Sequence, residues 1–108
     1  MGMIEGAELA EFNDIPHPKK ILKEILSNIR KAYVDAGVIH ADLSEFNIIL
    51  QLNWHILLID WPQYVKKDHP NAEQLLERDV LNIVRFFERK FRIKTNIEDA
   101  LTYVKYDS

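Results

Sequence analysis

The chain has 108 residues, of which 47% are hydrophobic and 29% are charged, and its net charge is −3. This length allows one small hydrophobic core and excludes two domains of ordinary size. The sequence contains no cysteine, which excludes disulfides and thiolate metal sites, and the negative charge argues against broad binding to nucleic-acid phosphates. The absence of cysteine is compatible with a reducing cytosol, and no apolar run approaches the length of a membrane span, so we expect a cytoplasmic protein with no membrane partner.

The first predicted element is an amphipathic helix between residues 19 and 36, where apolar side chains recur every four residues. Gly37 suits the C-terminal end of this helix. A short strand, Val38–Ile39, follows and leads into a polar segment with the sequence HADLSEFN, residues 40–47. This segment separates two apolar runs, an arrangement typical of a loop that a strand scaffold presents.

Two apolar runs after this segment predict a β-hairpin. Its strands are residues 48–52 and 55–59, joined by a two-residue turn at Asn53-Trp54. In this register Ile48 lies opposite Ile59. A two-stranded hairpin is marginally stable alone and needs helices packed on it.

The same register places Asn47 opposite Asp60. Directly opposed residues have Cβ atoms about 4.5–5.5 Å apart, so an amide oxygen and a carboxylate there can share a hard cation such as Mg²⁺ or Mn²⁺. Asp42 belongs to the same irregular segment. The alternative is that Asp42 and Asn47 only satisfy backbone groups within a turn.

The second half of the chain predicts a loop over residues 60–70 and two more helices. Asn71 caps the longer helix and Gln74 completes a capping box; Thr95 and Glu98 form a second capping box for the last helix. The chain is therefore predicted to be an α+β domain with three helices around a small hairpin. The predicted buried residues of the two helices are Leu75, Leu76, Val80, Ile83, Val84, Phe87 and Phe91, and then Ile97, Leu101 and Val104.

The pattern His-x-Asp-x-x-x-x-Asn, followed by an apolar hairpin and an Asp, resembles the catalytic and metal-binding half of the protein-kinase-like fold. The segments LIDWPQYV and HPNAEQLLERDVLNIVRFF resemble the RIO family of atypical protein kinases, the Rio2 branch in particular. Trp61 stands where that branch usually has Phe. MIEGAEL, near the start, resembles the hinge between the two kinase lobes.

The resemblance implies a role for each residue of the motif. Asp42 matches the catalytic aspartate that accepts or orients the proton of the attacking hydroxyl or water. Asn47 and Asp60 match the two metal ligands. His40 matches the histidine that packs under the loop and supports Asp60, and Asp79 matches an aspartate whose carboxylate accepts backbone N–H groups of the loop.

Five further residues are implied to contact ATP. Ser44 stands where protein kinases carry a Lys that contacts the transferring phosphate. Ile49 and Ile59 match residues that line the adenine pocket. Met3 and Ile4 match hinge residues that bind through their backbone groups.

The family resemblance implies an atypical serine/threonine kinase or ATPase that uses ATP with Mg²⁺ and acts on precursors of the small ribosomal subunit. It further implies that Asp60 can take a phosphoryl group. Residues 1–9 are interpreted as a hinge remnant and residues 10–108 as a kinase C-terminal lobe, so we expect the N-terminal lobe as partner and no activity from this chain alone. Apolar surface near Met1, Met3, Ile49 and Ile59 predicts self-association at the uncovered edge.

Two other classes remain open. A small-molecule phosphotransferase of the aminoglycoside or choline kinase kind shares the His-x-Asp-x-x-x-x-Asn pattern, although HPNA and RDV are not expected after it. The second class is a non-catalytic kinase-like scaffold. All three residues of the catalytic half are present, which argues against this class. A Gly-rich loop with a Lys in the preceding sequence, itself preceded by a winged helix, would decide for a Rio2 kinase.

Overall fold

The computed structural model describes residues 6–51, 55–59 and 64–105. A short 3₁₀ turn, Leu9–Glu11, accompanies the regular elements. These elements, in chain order, are β1 (Gly6–Glu8), α1 (Pro18–Val34), β2 (Val38–Ile39), β3 (Ile48–Gln51), β4 (Ile56–Leu58), β5 (Val65–Lys66), α2 (Ala72–Phe91) and α3 (Ile97–Lys105). Of the predicted site residues, Met3, Ile4 and Asp60 lie outside the described ranges.

The three helices pack on one another, and α1 also packs on β4 of a small sheet, which confirms the predicted α+β class. Their apolar faces share one core with the sheet residues Ile48 and Leu50, while Leu9 brings the first part of the chain into the same core. Leu75, Phe91, Ile97 and Leu101 are half-buried against it. The largest fully buried apolar side chains are Phe87, Leu9, Ile25, Ile39, Leu43, Ile48, Leu50, Leu76, Ile83, Val80 and Val104. None of the helices within the described ranges is long and apolar enough to cross a membrane.

The main sheet has three strands in the order β1-β3-β4, whereas the sequence predicted only the hairpin. β1 pairs antiparallel with β3, and Gly6 lies opposite Gln51. Gly6 has a φ of 152°, and a Cβ at this position would collide with the Leu50 carbonyl oxygen, so this close backbone approach requires glycine. The three residues of β1, Gly-Ala-Glu, carry no alternating apolar pattern, and the prediction therefore missed this strand.

The predicted register of the hairpin is wrong by one residue. β3 and β4 pair Ile48 with Leu58 rather than with Ile59. The Gln51 N–H donates to the His55 carbonyl, which makes the connection one residue longer than the predicted two-residue turn. Because turn length sets the register of a hairpin, this extra residue shifts every predicted pair.

The sequence prediction also missed a second pair of strands. β5 lies inside the segment predicted as a loop over residues 60–70, and it pairs antiparallel with β2, Val38 with Lys66 and Ile39 with Val65. Two-residue strands leave too short a pattern to detect in a sequence. This ribbon holds the end of β2, from which the polar segment 40–47 departs.

The helix ends differ from the predicted caps. Asn71 precedes α2 but its side chain makes no capping bond, because its backbone, at φ −103° and ψ 16°, lies outside the extended region that such a cap needs. The predicted box with Gln74 is therefore wrong. At α3 the cap is Asn96 rather than Thr95: its Oδ1 accepts the N–H groups of Glu98 and Asp99 at 2.8 and 3.2 Å.

Candidate active site

Residues 40–47, the site loop, connect β2 to β3 without regular structure. Two of its side chains, His40 and Leu43, point into the protein and are buried, whereas Asp42 between them is exposed. Ala41 has a φ of 73°, in the left-handed region that residues other than glycine rarely adopt. The loop is thus folded so that buried neighbours hold Asp42 at the surface.

Asp79 fixes the backbone on both sides of Asp42. It lies on α2 and is only 1% exposed. One carboxylate oxygen accepts the Ala41 N–H at 2.8 Å and the other accepts the Leu43 N–H at 3.0 Å. These are the contacts that the family resemblance implied for Asp79, and the first of them holds the strained residue Ala41 in place.

Burial raises the pKa of the Asp79 carboxyl above its ordinary value, and the hydrogen bonds from Leu43 and Ala41 offset part of this shift. The direction follows from the position of the group, because taking a carboxylate out of water disfavours its charged form. The two N–H donors therefore favour the charged form of a carboxyl that burial makes easier to protonate.

His40 joins the site loop to the strand that precedes Asp60. Its Nδ1 accepts the Asp42 N–H at 3.3 Å, and its Nε2 lies 2.7 Å from the Ile59 carbonyl oxygen. A carbonyl can only accept, so Nε2 carries the proton and Nδ1 is the unprotonated nitrogen. His40 was predicted to support Asp60; the described contact is with the residue directly before it.

Asn47, at the end of the loop, is 9% exposed and is held from both ends of its amide. Its Nδ2 donates to the Asp42 carbonyl at 3.4 Å, and its Oδ1 accepts the Ser44 hydroxyl at 3.0 Å. A carbonyl oxygen has two lone pairs, so Oδ1 retains one for a cation. Ser44 was predicted to contact ATP, and in the described structure its hydroxyl contacts Asn47.

The observed register changes the residue that lies opposite Asn47. The Ile59 N–H donates to the Asn47 carbonyl at 2.9 Å, so Asn47 lies opposite Ile59 and its predicted opposition to Asp60 is wrong. Asp60 follows Ile59 in the chain and lies outside the described residues. Among the residues that the structure describes, no group of three or more His, Cys, Asp or Glu side chains could hold a metal ion.

Ile49 lies on the face of the sheet that points away from the helices. Its neighbours Ile48 and Leu50 belong to the core cluster and Ile49 does not, as expected from the alternation of side chains along a strand. Ile49 is 7% exposed and Ile59 is half-buried. Ile49 therefore adds little open apolar surface to the edge where self-association was predicted, and Met1 lies outside the described residues.

Three contacts of the site loop were not found from the sequence. The Ala10 N–H donates to the Glu45 carbonyl at 3.2 Å, and Asn82 Nδ2 donates to the Leu43 carbonyl at 3.4 Å. Arg89 lies 3.9 Å from the Glu45 carboxylate, a surface pair of the kind worth about 0–1 kcal/mol. Only Asn82 carried a signal: it follows Asp79 by three positions, so both lie on one face of α2.

Comparison with known proteins places the chain in a family. A family model described as the RIO domain matches residues 1–100. The RIO-type serine/threonine-protein kinase Rio2 of Methanocaldococcus jannaschii is 40% identical over 114 residues, which cover 96% of this chain and 42% of that protein. The serine/threonine-protein kinase RIO2 of Caenorhabditis elegans is 53% identical over 91 residues, which cover 84% of this chain and 17% of that protein. The chain belongs to the RIO domain family.

A solved structure agrees with this assignment. The Rio2 kinase-ADP/Mg²⁺-phosphoaspartate complex from Chaetomium thermophilum matches with a TM-score of 0.79 and 30% identity, over 99% of this chain and 36% of that chain. The kinase-like fold and the resemblance to Rio2 kinases are thereby confirmed. The chain spans less than half the length of the relatives that it matches.

Proposed function

We propose that this chain is the catalytic and metal-binding part of a Rio2-type atypical serine/threonine kinase or ATPase. The observation that carries the proposal is the exposed Asp42, held between two N–H groups that donate to the buried Asp79. An exposed carboxylate on a fixed backbone suits phosphoryl transfer, in which the protein mostly positions groups and neutralises charge. The relatives named as serine/threonine-protein kinases support the same reaction class.

Asp42 acts on the attacking hydroxyl or water in this proposal. The His40 ring accepts the Asp42 N–H, and Asp79 holds the neighbouring peptides, so the backbone at Asp42 has little freedom. Its carboxylate accepts or orients the proton that the nucleophile loses. Such a general base typically contributes about 10²–10⁴-fold to the rate.

The donor chemistry of the site fits Mg²⁺. Asn47 offers an amide oxygen with one lone pair left over, and Asp60 offers a carboxylate, both of which are oxygen ligands of the kind that Mg²⁺ prefers. Bound Mg²⁺ would neutralise charge on the phosphates of ATP. Few protein ligands are required, because Mg²⁺ keeps several waters and phosphate oxygens in its shell.

Two finer proposals follow from the relatives. The Chaetomium thermophilum structure contains a phosphoaspartate, and we propose that Asp60 is the corresponding residue here: its carboxylate oxygen attacks the γ-phosphorus of ATP and ADP leaves. From the family resemblance we also propose that the whole protein works in the cytoplasm on precursors of the small ribosomal subunit.

A chimera tests the proposed activity. The chain would be joined to the preceding part of the Methanocaldococcus jannaschii Rio2 kinase, and ATP turnover with Mg²⁺ would be compared with that of the chain alone. We expect turnover by the chimera and none by the chain, because the rest of the ATP site belongs to the other lobe. Equal rates for the two forms would contradict the two-lobe proposal.

A further inference from the structure

Ser44 is placed to act on Asn47 rather than on a phosphate. Its Oγ accepts the Phe46 N–H at 3.3 Å. An N–H group can only donate, so the single hydroxyl proton remains available for Asn47 Oδ1, 3.0 Å away. The hydroxyl therefore has a defined direction: it accepts from the loop backbone and donates to the amide oxygen.

The same amide is oriented at its other end. Asn47 Nδ2 faces the Asp42 carbonyl at 3.4 Å, where only the nitrogen can donate, and the Asn47 N–H donates to the Ser44 carbonyl at 3.0 Å. A reversed amide would lose the contact with Asp42, since Oδ1 would then face the Asp42 carbonyl oxygen, whereas Ser44 Oγ could still accept from Nδ2. The Asp42 carbonyl therefore selects the orientation that keeps Oδ1 on the Ser44 side, and the Ser44 hydroxyl holds Oδ1 there by donating to it.

We propose that Ser44 is a positioning residue for the metal ligand Asn47. The inference rests on the proposed function, because it takes Asn47 as a ligand of Mg²⁺, and it adds a residue that does not itself touch the metal. Groups that orient a metal ligand through hydrogen bonds commonly affect metal affinity about 10–100-fold. A direct contact of Ser44 with the transferring phosphate, which its place in the motif implied, would instead leave metal affinity unchanged when Ser44 is altered.

The test uses the 108-residue chain labelled with ¹⁵N and Mn²⁺ alone as the probe. Paramagnetic broadening of the Asn47 signals would be followed over a Mn²⁺ titration for the wild type, Ser44→Ala and Ser44→Thr. Thr102→Ala removes a hydroxyl from the exposed face of α3 and is the matched control. We expect Ser44→Ala to weaken Mn²⁺ binding about tenfold, since the lost bond joins two neutral groups. Ser44→Thr should restore the wild-type affinity because it keeps the hydroxyl, and Thr102→Ala should not change it.

A second measurement needs no variant. In the wild-type chain the nuclear Overhauser contacts of the Asn47 side-chain amide protons should fit one orientation of the amide, and contacts that require both orientations would contradict the proposal. Equal Mn²⁺ affinity for Ser44→Ala and the wild type would overturn the role of Ser44 and leave the metal site intact. Equal weakening in Ser44→Ala and Ser44→Thr would also overturn it. No broadening of Asn47 in the wild type would overturn the proposed metal site itself, and the role of Ser44 with it.

Discussion

Two irregular segments of this protein look alike locally and differ in what holds them. The site loop, residues 40–47, and the helix connector, residues 92–96, each contain one residue other than glycine at positive φ, Ala41 at 73° and Arg92 at 57°. In the helix connector every described bond is local: the N–H groups of Arg92 and Ile93 both donate to the Phe87 carbonyl. The connector therefore closes one helix and opens the next.

The site loop is held instead by groups from distant parts of the chain. Asp79 lies 38 positions after Ala41 and 36 after Leu43, and the Ile59 carbonyl lies 19 positions after His40. The strained backbone of a loop with such anchors depends on the assembled core, whereas that of the connector depends on its own neighbours. Long-range polar anchors, rather than irregularity or positive φ, therefore distinguish the site loop from the helix connector.

The largest expected effect comes from removing the exposed group that the site loop presents. In the chimera with a RIO N-terminal lobe, Asp42→Ala should lower ATP turnover by about 10²–10⁴-fold. The thermal midpoint should barely change, because Asp42 is exposed. Asp68→Ala, which removes an exposed carboxylate near β5, is the control and should keep both values. Early melting of Asp42→Ala with an unchanged rate would assign Asp42 to the scaffold.

The second effect concerns the anchor of the loop. Asp79→Ala should lower the free energy of unfolding by about 1–3 kcal/mol, since it leaves the buried N–H groups of Ala41 and Leu43 without their acceptor. Turnover of the chimera should fall as a consequence. Urea unfolding of both proteins measures the difference, and unchanged stability would mean that the anchor does not hold the loop.

A matched change in the helix connector should separate stability from activity. Asn96→Ala removes the cap that accepts the N–H groups of Glu98 and Asp99, and it should lower the free energy of unfolding by about 1 kcal/mol. The turnover of the chimera, measured where both proteins are folded, should stay at the wild-type value. A selective loss of rate would remove the contrast between the two segments.

The smallest expected effect is a pH dependence carried by Asp79. Because burial raises its pKa, the folded state binds the proton more tightly than the unfolded state. The tighter proton binding stabilises the folded state below about pH 4, near the ordinary pKa of aspartate. This stabilisation is lost as the pH rises through the raised pKa of Asp79 in the folded state. The stability of the wild type relative to Asp79→Asn should therefore fall as the pH increases. If it rises instead, the two N–H bonds outweigh burial.

Long periodic patterns made most of the fold predictable. The three helices, the strands β2 to β4 and the irregular loop between them follow from hydrophobic spacing, and the resemblance implied the contacts of Asp79. The predictions that failed concern features that depend on interactions between distant parts of the chain. The register changed because one extra residue joins β3 to β4, and β1 was missed because its three residues carry no alternating apolar pattern. The contact of Ser44 with Asn47 arises from the course of the loop, which no spacing in the sequence specifies.

Amide hydrogen exchange at Ala41 and Leu43 tests most directly the claim that Asp79 holds the site loop from a distance. The comparison is between Asp79→Ala and Asn96→Ala, which both destabilise the protein, one at the anchor and one at the helix connector. We predict that both amides exchange faster in Asp79→Ala than the loss of global stability explains, while in Asn96→Ala they exchange faster only by the amount that the loss of global stability explains. If Ala41 and Leu43 exchange no faster in Asp79→Ala than in Asn96→Ala at equal global stability, Asp79 does not anchor the loop.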